Sequence, residues 1–163
     1  MSLKKDSFSS FDKKNMRFAI NLAKNQNGLT GTNPSVGCVI VKNKKIISYG
    51  TTNINGRPHA ETVTLKKNKK ENFGSTMYLT LEPCSHYGKT PPCTKSIIKS
   101  KIKNVYYSLD DLDLRTYKKS KKILRSKKVN VKSGLLIEET KKLYKCYNFI
   151  KKNNYPFITG KLA

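Results

Sequence analysis

The sequence predicts an α/β fold built on a mixed five-stranded sheet with helices on both faces. Short runs rich in apolar and β-branched residues alternate along the chain with segments whose apolar residues recur at helical spacing. The chain of 163 residues suits one domain with a working core, and no internal repeat or low-complexity linker divides its body. Strands that alternate with helices are typical of sheets whose two faces are both covered.

Each predicted element has its own local signal. Asp12 is a candidate N-cap for the first helix, in which Met16, Ala19 and Ile20 belong to one apolar stripe. The first two strands flank a polar turn, which predicts a hairpin, and a pair of prolines favours a helix start at Cys93. In chain order, the predicted elements are a helix over 12–25, strands over 36–41 and 46–52, a helix over 59–69, a strand over 76–81, a helix over 93–100, a strand over 105–109, a helix over 120–126, a strand over 129–131 and a helix over 137–150.

The formal net charge of +24 is unusually high. A basic domain attracts phosphate non-specifically, so the charge is compatible with a nucleic-acid partner. The lysines are scattered through every segment and accompanied by many Asn and Ile residues, however, as a codon bias would also produce. This scatter weighs against a nucleic-acid interface, and the same field would attract the phosphate of a small substrate.

Nothing in the sequence predicts a membrane partner or an oxidising compartment. No apolar run approaches the ~20 residues of a membrane span, and residues 1–12 lack the apolar centre of a signal peptide. Cys38 lies in a predicted strand and Cys146 in a late helix, so neither indicates a disulfide framework. The chain is therefore predicted to be cytoplasmic.

Three residues predict a metal site. His59, Cys84 and Cys93 offer one imidazole and two thiols, the protein's share of a catalytic zinc site that keeps a fourth position for water. The order H-x-E followed by P-C is the signature of zinc-dependent nucleobase deaminases. That signature has two residues between its cysteines, whereas this chain has eight. A disulfide and a purely structural zinc site are the alternatives to a catalytic one.

Glu61 is the candidate proton carrier. It lies two residues beyond His59, too close for both side chains to share one metal ion comfortably. A carboxyl group beside a zinc-bound water is instead well suited to move protons to and from that water.

The segment between the two cysteines carries a resemblance to a known family. Residues 82–93, EPCSHYGKTPPC, together with His59-Ala60-Glu61 and residues 33–38, NPSVGC, closely resemble the pyrimidine deaminase domain of the bifunctional riboflavin-biosynthesis deaminase/reductase. The resemblance covers nearly the whole chain. It implies a cytidine-deaminase-like, three-layer α/β/α sandwich and a zinc cofactor. The implied reaction converts 2,5-diamino-6-ribosylamino-4(3H)-pyrimidinone 5′-phosphate to 5-amino-6-ribosylaminouracil 5′-phosphate and releases ammonia.

The resemblance also implies the residues that bind the substrate. Asn33 matches the family's contact to the sugar or base, and His86 and Lys89 match the residues that face the ribosyl phosphate. From the residues alone, Asn33 could equally belong to an Asn-Pro turn, and His86 and Lys89 to a solvated loop. Asp111 and Asp113 match the acidic positions of a Pro-rich loop that contacts the ribose, although leucines replace the prolines here.

The chain is predicted to have three segments. Residues 1–11 are rich in Ser and Lys and are predicted to form a flexible N-terminus. The resemblance implies a zinc-dependent deaminase domain over residues 12–150 and, over residues 151–163, a linker with the start of a reductase domain. The alternative for residues 155–163 is a terminal strand that finishes the deaminase. The family also admits a homo-oligomer and a separate reductase partner.

Three functions stay open at this point. The first is the zinc hydrolase of the resembled family, acting on a small pyrimidine ribosyl-phosphate. The second is a tRNA or nucleic-acid adenosine or cytidine deaminase, favoured by the charge and disfavoured by the long cysteine gap. The third is a non-enzymatic, zinc-containing RNA-binding protein. Glu61 and the three-ligand count disfavour it, since structural zinc sites usually close with four ligands.

Overall fold

The computed structural model describes residues 7–158, and it confirms the predicted mixed five-stranded sheet. The strands are β1 (Gly37–Lys42), β2 (Lys45–Thr51), β3 (Thr76–Leu81), β4 (Asn104–Leu109) and β5 (Asn130–Ser133). The helices are α1 (Ser10–Asn25), α2 (Ala60–Lys67), α3 (Cys93–Lys99), α4 (Lys119–Ser126), α5 (Ile137–Leu143) and α6 (Lys145–Asn153), and a short 3₁₀ turn, Ile54–Gly56, precedes α2.

The sheet combines an antiparallel and a parallel part. Its strand order is β2-β1-β3-β4-β5, with β1 antiparallel to both of its neighbours and β3, β4 and β5 parallel. Cys38 of β1 lies opposite Leu79 of β3, and Leu79 lies opposite Tyr107 of β4. The carboxyl ends of the three parallel strands therefore meet at one edge of the sheet, where open α/β sheets usually keep their sites.

Helices cover both faces of the sheet, as predicted. One buried apolar cluster holds Ile40 together with residues of α2, α3 and α4, and the other holds Val39 together with residues of α1. Adjacent strand residues point to opposite faces, which is why Val39 and Ile40 belong to different clusters. Helix α5 lies beside α1 and β4, on the α1 side. The three-layer sandwich is thereby confirmed.

The prediction that Asp12 caps the first helix is wrong. Ser9 is the N-cap: its hydroxyl oxygen accepts the backbone N–H of Asp12 at 3.1 Å, and the Asp12 carboxylate accepts the backbone N–H of Ser9 at 2.9 Å. This reciprocal capping box satisfies two backbone donors, the N–H groups of Ser9 and Asp12. A helix that began after Asp12 would not use the Ser9 hydroxyl as a cap. Ser10 and Phe11 are helical, so the predicted boundary between residues 11 and 12 moves toward the N-terminus. Residues 1–6 lie outside the described residues.

The single helix predicted over 137–150 is two helices that meet at Tyr144. The Tyr144 ring is buried, and its hydroxyl lies 2.6 Å from the Thr80 hydroxyl and donates a 2.9 Å hydrogen bond to the Ser35 carbonyl. These contacts anchor the chain to β3 and to the segment before β1, and α6 then continues past the sheet edge. The predicted reductase start is described only to residue 158; residues 159–163 lie outside the described part, and this prediction stays one.

Among residues 7–158, no helix is both long and apolar enough to span a bilayer.

Candidate metal and substrate site

The three predicted metal ligands converge at the carboxyl edge of β3. His59 is the N-cap of α2, Cys84 lies just beyond β3, and Cys93 is the first residue of α3. The Nδ1 atom of His59 lies 3.4 Å from the Sγ atom of Cys93 and 3.7 Å from that of Cys84, and all three atoms lie within 4.8 Å of one another. Tetrahedral zinc with ordinary bond lengths would separate such atoms by about 3.5–3.8 Å. The donor set and its spacing therefore fit zinc.

The two thiols have pKa values shifted in opposite directions. Hydrogen bonds, first from the Cys93 thiol and then from His59 and the Cys93 backbone N–H, lower the pKa of Cys84. The pKa of Cys93 is raised well above its usual value, because its thiol is bonded to Cys84 and buried. Zinc binds thiolates, so a bound divalent cation would favour ionisation of both sulfurs. The contact with Cys84 also raises the pKa of His59.

Glu61 lies beside the ligand trio, on the first turn of α2. Its side chain is only 3% exposed and lines the same cavity as His59 and Cys84. Burial, and then the negative charge of Cys84, raise the pKa of Glu61. Among the described residues, the close group of ligand atoms comprises His59, Cys84 and Cys93 without Glu61. The carboxyl group thus lies at the cavity beside the three ligand residues, and its role as a proton carrier stays a prediction.

A cavity of about 310 Å³ opens above this group. Every substrate-binding residue predicted from the resemblance lines it: Asn33, His86, Lys89, Asp111 and Asp113. Folding thus brings together residues from the segment before β1, the loop between the two cysteines and the loop after β4. Their roles in substrate binding stay predictions.

Asn33 is held in place by the turn that precedes α2. Its Nδ2 atom donates a 3.0 Å hydrogen bond to the carbonyl of Gly56, whose φ of +83° favours glycine. A side chain at Gly56 would also collide with Asn33. This bond uses one of the two Nδ2 hydrogens, which leaves the other hydrogen and the amide oxygen of Asn33 for contact with a ligand.

The loop between the two cysteines is attached to the loop after β4. His86 Nδ1 lies 3.0 Å from the Thr116 hydroxyl, and the Ser85 hydroxyl donates a 3.3 Å hydrogen bond to the Arg115 carbonyl. Lys89 is exposed at the cavity rim. The imidazole of His86 is thus oriented by the protein, while the Lys89 ammonium is available to an anion.

The two predicted ribose contacts already have protein partners. Asp111 accepts 2.9 Å and 3.0 Å hydrogen bonds from the Tyr147 hydroxyl and the Asp113 backbone N–H. The Asp113 carboxylate forms ion pairs of 2.6 Å with Arg115 and 3.0 Å with Lys151. The hydrogen bonds from Arg115 hold the pKa of Asp113 well below its usual range, whereas burial raises the pKa of Asp111.

Five ionisable residues that line the cavity were not predicted from the sequence: Arg57, Glu82, Arg115, Tyr147 and Lys151. Arg57 and Glu82 adjoin predicted motifs, and this adjacency was the available signal. Arg57 reaches across the cavity and donates a 2.9 Å hydrogen bond to the Thr90 hydroxyl. Tyr147 and Lys151 lie four positions apart on α6, a spacing that any exposed helix face can show.

Comparison with known proteins assigns the family. Residues 9–109 match the family model described as the cytidine and deoxycytidylate deaminase zinc-binding region. The chain belongs to this family. Within these deaminases, the chain is 46% identical over 130 residues to the diaminohydroxyphosphoribosylamino-pyrimidine deaminase of Buchnera aphidicola subsp. Schizaphis graminum, which covers 80% of this chain and 88% of the relative. The predicted membership of the riboflavin-biosynthesis deaminases is confirmed.

Longer members of this deaminase group are also similar. The riboflavin biosynthesis protein RibD of Aquifex aeolicus (strain VF5) is 40% identical over 152 residues, or 93% of this chain and 43% of the relative. The structure of Acinetobacter baumannii RibD, form 2, superimposes with a TM-score of 0.85 at 35% identity, over 90% of this chain and 42% of that one. The chain thus spans less than half the length of these two proteins.

Proposed function

We propose that this deaminase catalyses the zinc-dependent hydrolytic deamination of 2,5-diamino-6-ribosylamino-4(3H)-pyrimidinone 5′-phosphate, yielding 5-amino-6-ribosylaminouracil 5′-phosphate and ammonia. The observation that carries the proposal is the convergence of His59, Cys84 and Cys93 beside the buried Glu61, at the floor of a cavity with cations at its rim. The 46% identity to a relative named for this activity supports the substrate assignment.

The ligand trio defines where zinc would be held. His59 Nδ1, Cys84 Sγ and Cys93 Sγ would bind the ion, which when bound supplies a Lewis acid that makes water a nucleophile near neutral pH. Glu61 then holds and moves the proton. Its buried position beside the trio suits a carboxyl group that accepts a proton from water and returns it to the ring nitrogen and the departing amine.

Charge pairing divides the cations of the cavity into two groups. Arg115 and Lys151 are already ion-paired with Asp113. Arg57 contacts the neutral hydroxyl of Thr90, and among residues 7–158 neither it nor Lys89 has a carboxylate partner. The unneutralised charge of Lys89 supports binding of the ribosyl phosphate on the side of Lys89 and His86.

A nucleic-acid deaminase is the second candidate, and the net charge of +24 favours it. The test is ammonia release by the zinc-loaded protein, measured in parallel on the free pyrimidine phosphate and on tRNA, with Glu61→Gln as the inactive control. The proposal predicts ammonia from the pyrimidine phosphate and unmodified tRNA. Deaminated tRNA together with an inert pyrimidine phosphate would overturn it. A homo-oligomer and a separate reductase partner stay predictions.

A further inference from the structure

Glu82 joins the end of β3 to a distant stretch of backbone. Its Oε2 atom accepts hydrogen bonds from the backbone N–H groups of Asp111 at 3.3 Å and Lys118 at 3.0 Å. Its Oε1 atom accepts the backbone N–H and the hydroxyl of Ser120, at 3.1 Å and 2.6 Å. The side chain is 3% exposed. Both carboxylate oxygens are thus occupied by donors that lie 29 to 38 positions later in the chain.

Two of the backbone donors, those of Lys118 and Ser120, lie at the start of α4. Helix α4 begins after Lys118, which adopts a left-handed conformation with φ 56° and supplies no side-chain cap. The first N–H groups of a helix need an external acceptor, and burying them unpaired would be costly. Glu82 supplies the acceptor that an N-cap side chain usually provides. Through its hydrogen bond with the Asp111 backbone N–H, it also holds the start of the loop that leads from β4 to α4.

The segment between these attachment points, residues 110–118, forms one wall of the cavity. It presents Asp111, Asp113 and Arg115 to the cavity, and Thr116 contacts the imidazole of His86. Between β4 and α4 this segment has no strand or helix of its own. Hydrogen bonds within the segment, such as those from the Thr116 and Tyr117 backbone N–H groups to the Asp113 carbonyl, shape it locally. Hydrogen bonds from outside attach it to the sheet, and of those to Glu82 the one from Asp111 is buried and the one from Lys118 is partly buried.

We propose that Glu82 is a positioning residue for substrate binding. Its hydrogen bonds to the two ends of residues 110–118 determine the positions of Asp111, Asp113 and His86. These positions in turn determine the affinity for the ribosyl-phosphate part of the substrate. Glu82 lines the cavity, but both of its carboxylate oxygens are occupied by protein donors, so the role proposed for it is to position the loop. The substrate part of this inference rests on the proposed function, whereas the attachment of the loop does not.

Glu82→Gln tests the inference, since the amide NH₂ group would face backbone N–H donors that require an acceptor. We expect the zinc content to stay unchanged. The KM for the pyrimidine phosphate should rise about tenfold or more, while kcat stays within about threefold. Hydrogen exchange should accelerate at the amides of Asp111, Lys118 and Ser120 but not at that of Thr94, which is bonded to the Cys84 carbonyl. Glu138→Gln, at an exposed acid outside the cavity, is the matched control and should change none of these quantities.

A milder variant guards against a folding defect. Ser120→Ala removes only the hydroxyl contact and keeps the three backbone hydrogen bonds to Glu82. It should raise KM about two- to tenfold with zinc retained. Zinc loss in Glu82→Gln, or an unchanged KM with unchanged exchange at the three amides, would overturn the inference. Failure of the proposed function would show differently, as a wild-type protein that releases no ammonia from the pyrimidine phosphate.

Discussion

The Tyr147 hydroxyl donates a 2.9 Å hydrogen bond to Oδ1 of Asp111. This contact ties α6 to the loop that forms one wall of the cavity, and Lys151, one turn further along α6, pairs with Asp113 of the same loop. Helix α6 has no fully buried residue, and it is attached by the packing of Tyr147 against the buried apolar cluster and by these polar contacts at the cavity.

Removing the Tyr147 hydroxyl should loosen this attachment. Tyr147→Phe keeps the ring, which packs edge-on against Tyr144 with centroids 6.3 Å apart, but deprives Asp111 of one donor. We expect the free energy of unfolding to fall by about 1.5–3 kcal/mol, as for other hydrogen bonds to charged groups. Urea denaturation measures the change. Tyr155→Phe, at a side chain that is 70% exposed, should change it little.

The metal assignment predicts a matched loss of zinc and activity. The purified protein should hold about one zinc per chain, and Cys84→Ala or Cys93→Ala should lose most of it, because two ligands hold the ion much less tightly than three. Elemental analysis and ammonia release measure the two losses. Cys146→Ala changes an exposed thiol outside the cavity and should retain both. Full zinc occupancy in both ligand variants would show that the ligands are wrongly assigned.

Glu61→Gln should separate metal binding from catalysis. Glutamine is nearly isosteric and leaves His59, Cys84 and Cys93 in place, but it cannot carry a proton. We therefore expect unchanged zinc content and a fall in kcat of about 10²- to 10⁴-fold. Single-turnover ammonia release by the zinc-loaded variant is the measurement. Zinc loss would instead make Glu61 a ligand, and near-normal turnover would remove it from the mechanism.

Lys89 should matter only when the substrate carries a phosphate. Lys89→Ala should lower kcat/KM about ten- to a hundredfold for the phosphorylated pyrimidine. The dephosphorylated substrate should already react poorly and should lose little more, so the two changes are non-additive. Steady-state kinetics on both substrates measure this, with Lys122→Ala, an exposed lysine of α4, as the control. Equal losses on the two substrates would show that Lys89 does not contact the phosphate.

The two acids of the cavity wall should affect acid stability in opposite directions. The pKa of Asp113 is lowered, first by its hydrogen bonds with Arg115, so its stabilising contribution is complete above about pH 4 and is lost as the pH falls through the folded-state pKa. The pKa of Asp111 is raised by burial, so the folded protein binds that proton first, and stability rises as the pH falls toward about 4.

Acidification should therefore reduce the free energy of unfolding less steeply in Asp113→Asn than in the wild type, and more steeply in Asp111→Asn. Urea denaturation at intervals from about pH 7 to about pH 3 measures both slopes. Three parallel curves would show that neither carboxyl group has the shifted pKa described above.

The sequence by itself predicted the sheet, its flanking helices and the metal trio. These features depend on local patterns: apolar runs and helical periodicity mark the elements, and metal chemistry demands particular ligand types. His59 and Cys93 each stand at a helix start that neighbouring residues already indicate. Even the loop between the two cysteines had a composition distinctive enough to carry the family resemblance.

Only the tertiary structure decided which other side chains surround the cavity. Tyr147 and Lys151 reach Asp111 and Asp113, 36 and 38 positions earlier, because the chain is anchored at Tyr144, whose hydroxyl binds a carbonyl 109 positions away. Such contacts leave no periodicity in the sequence. They form because buried hydroxyl and carboxylate groups must find hydrogen-bond partners, and the folded sheet determines which partners lie within reach.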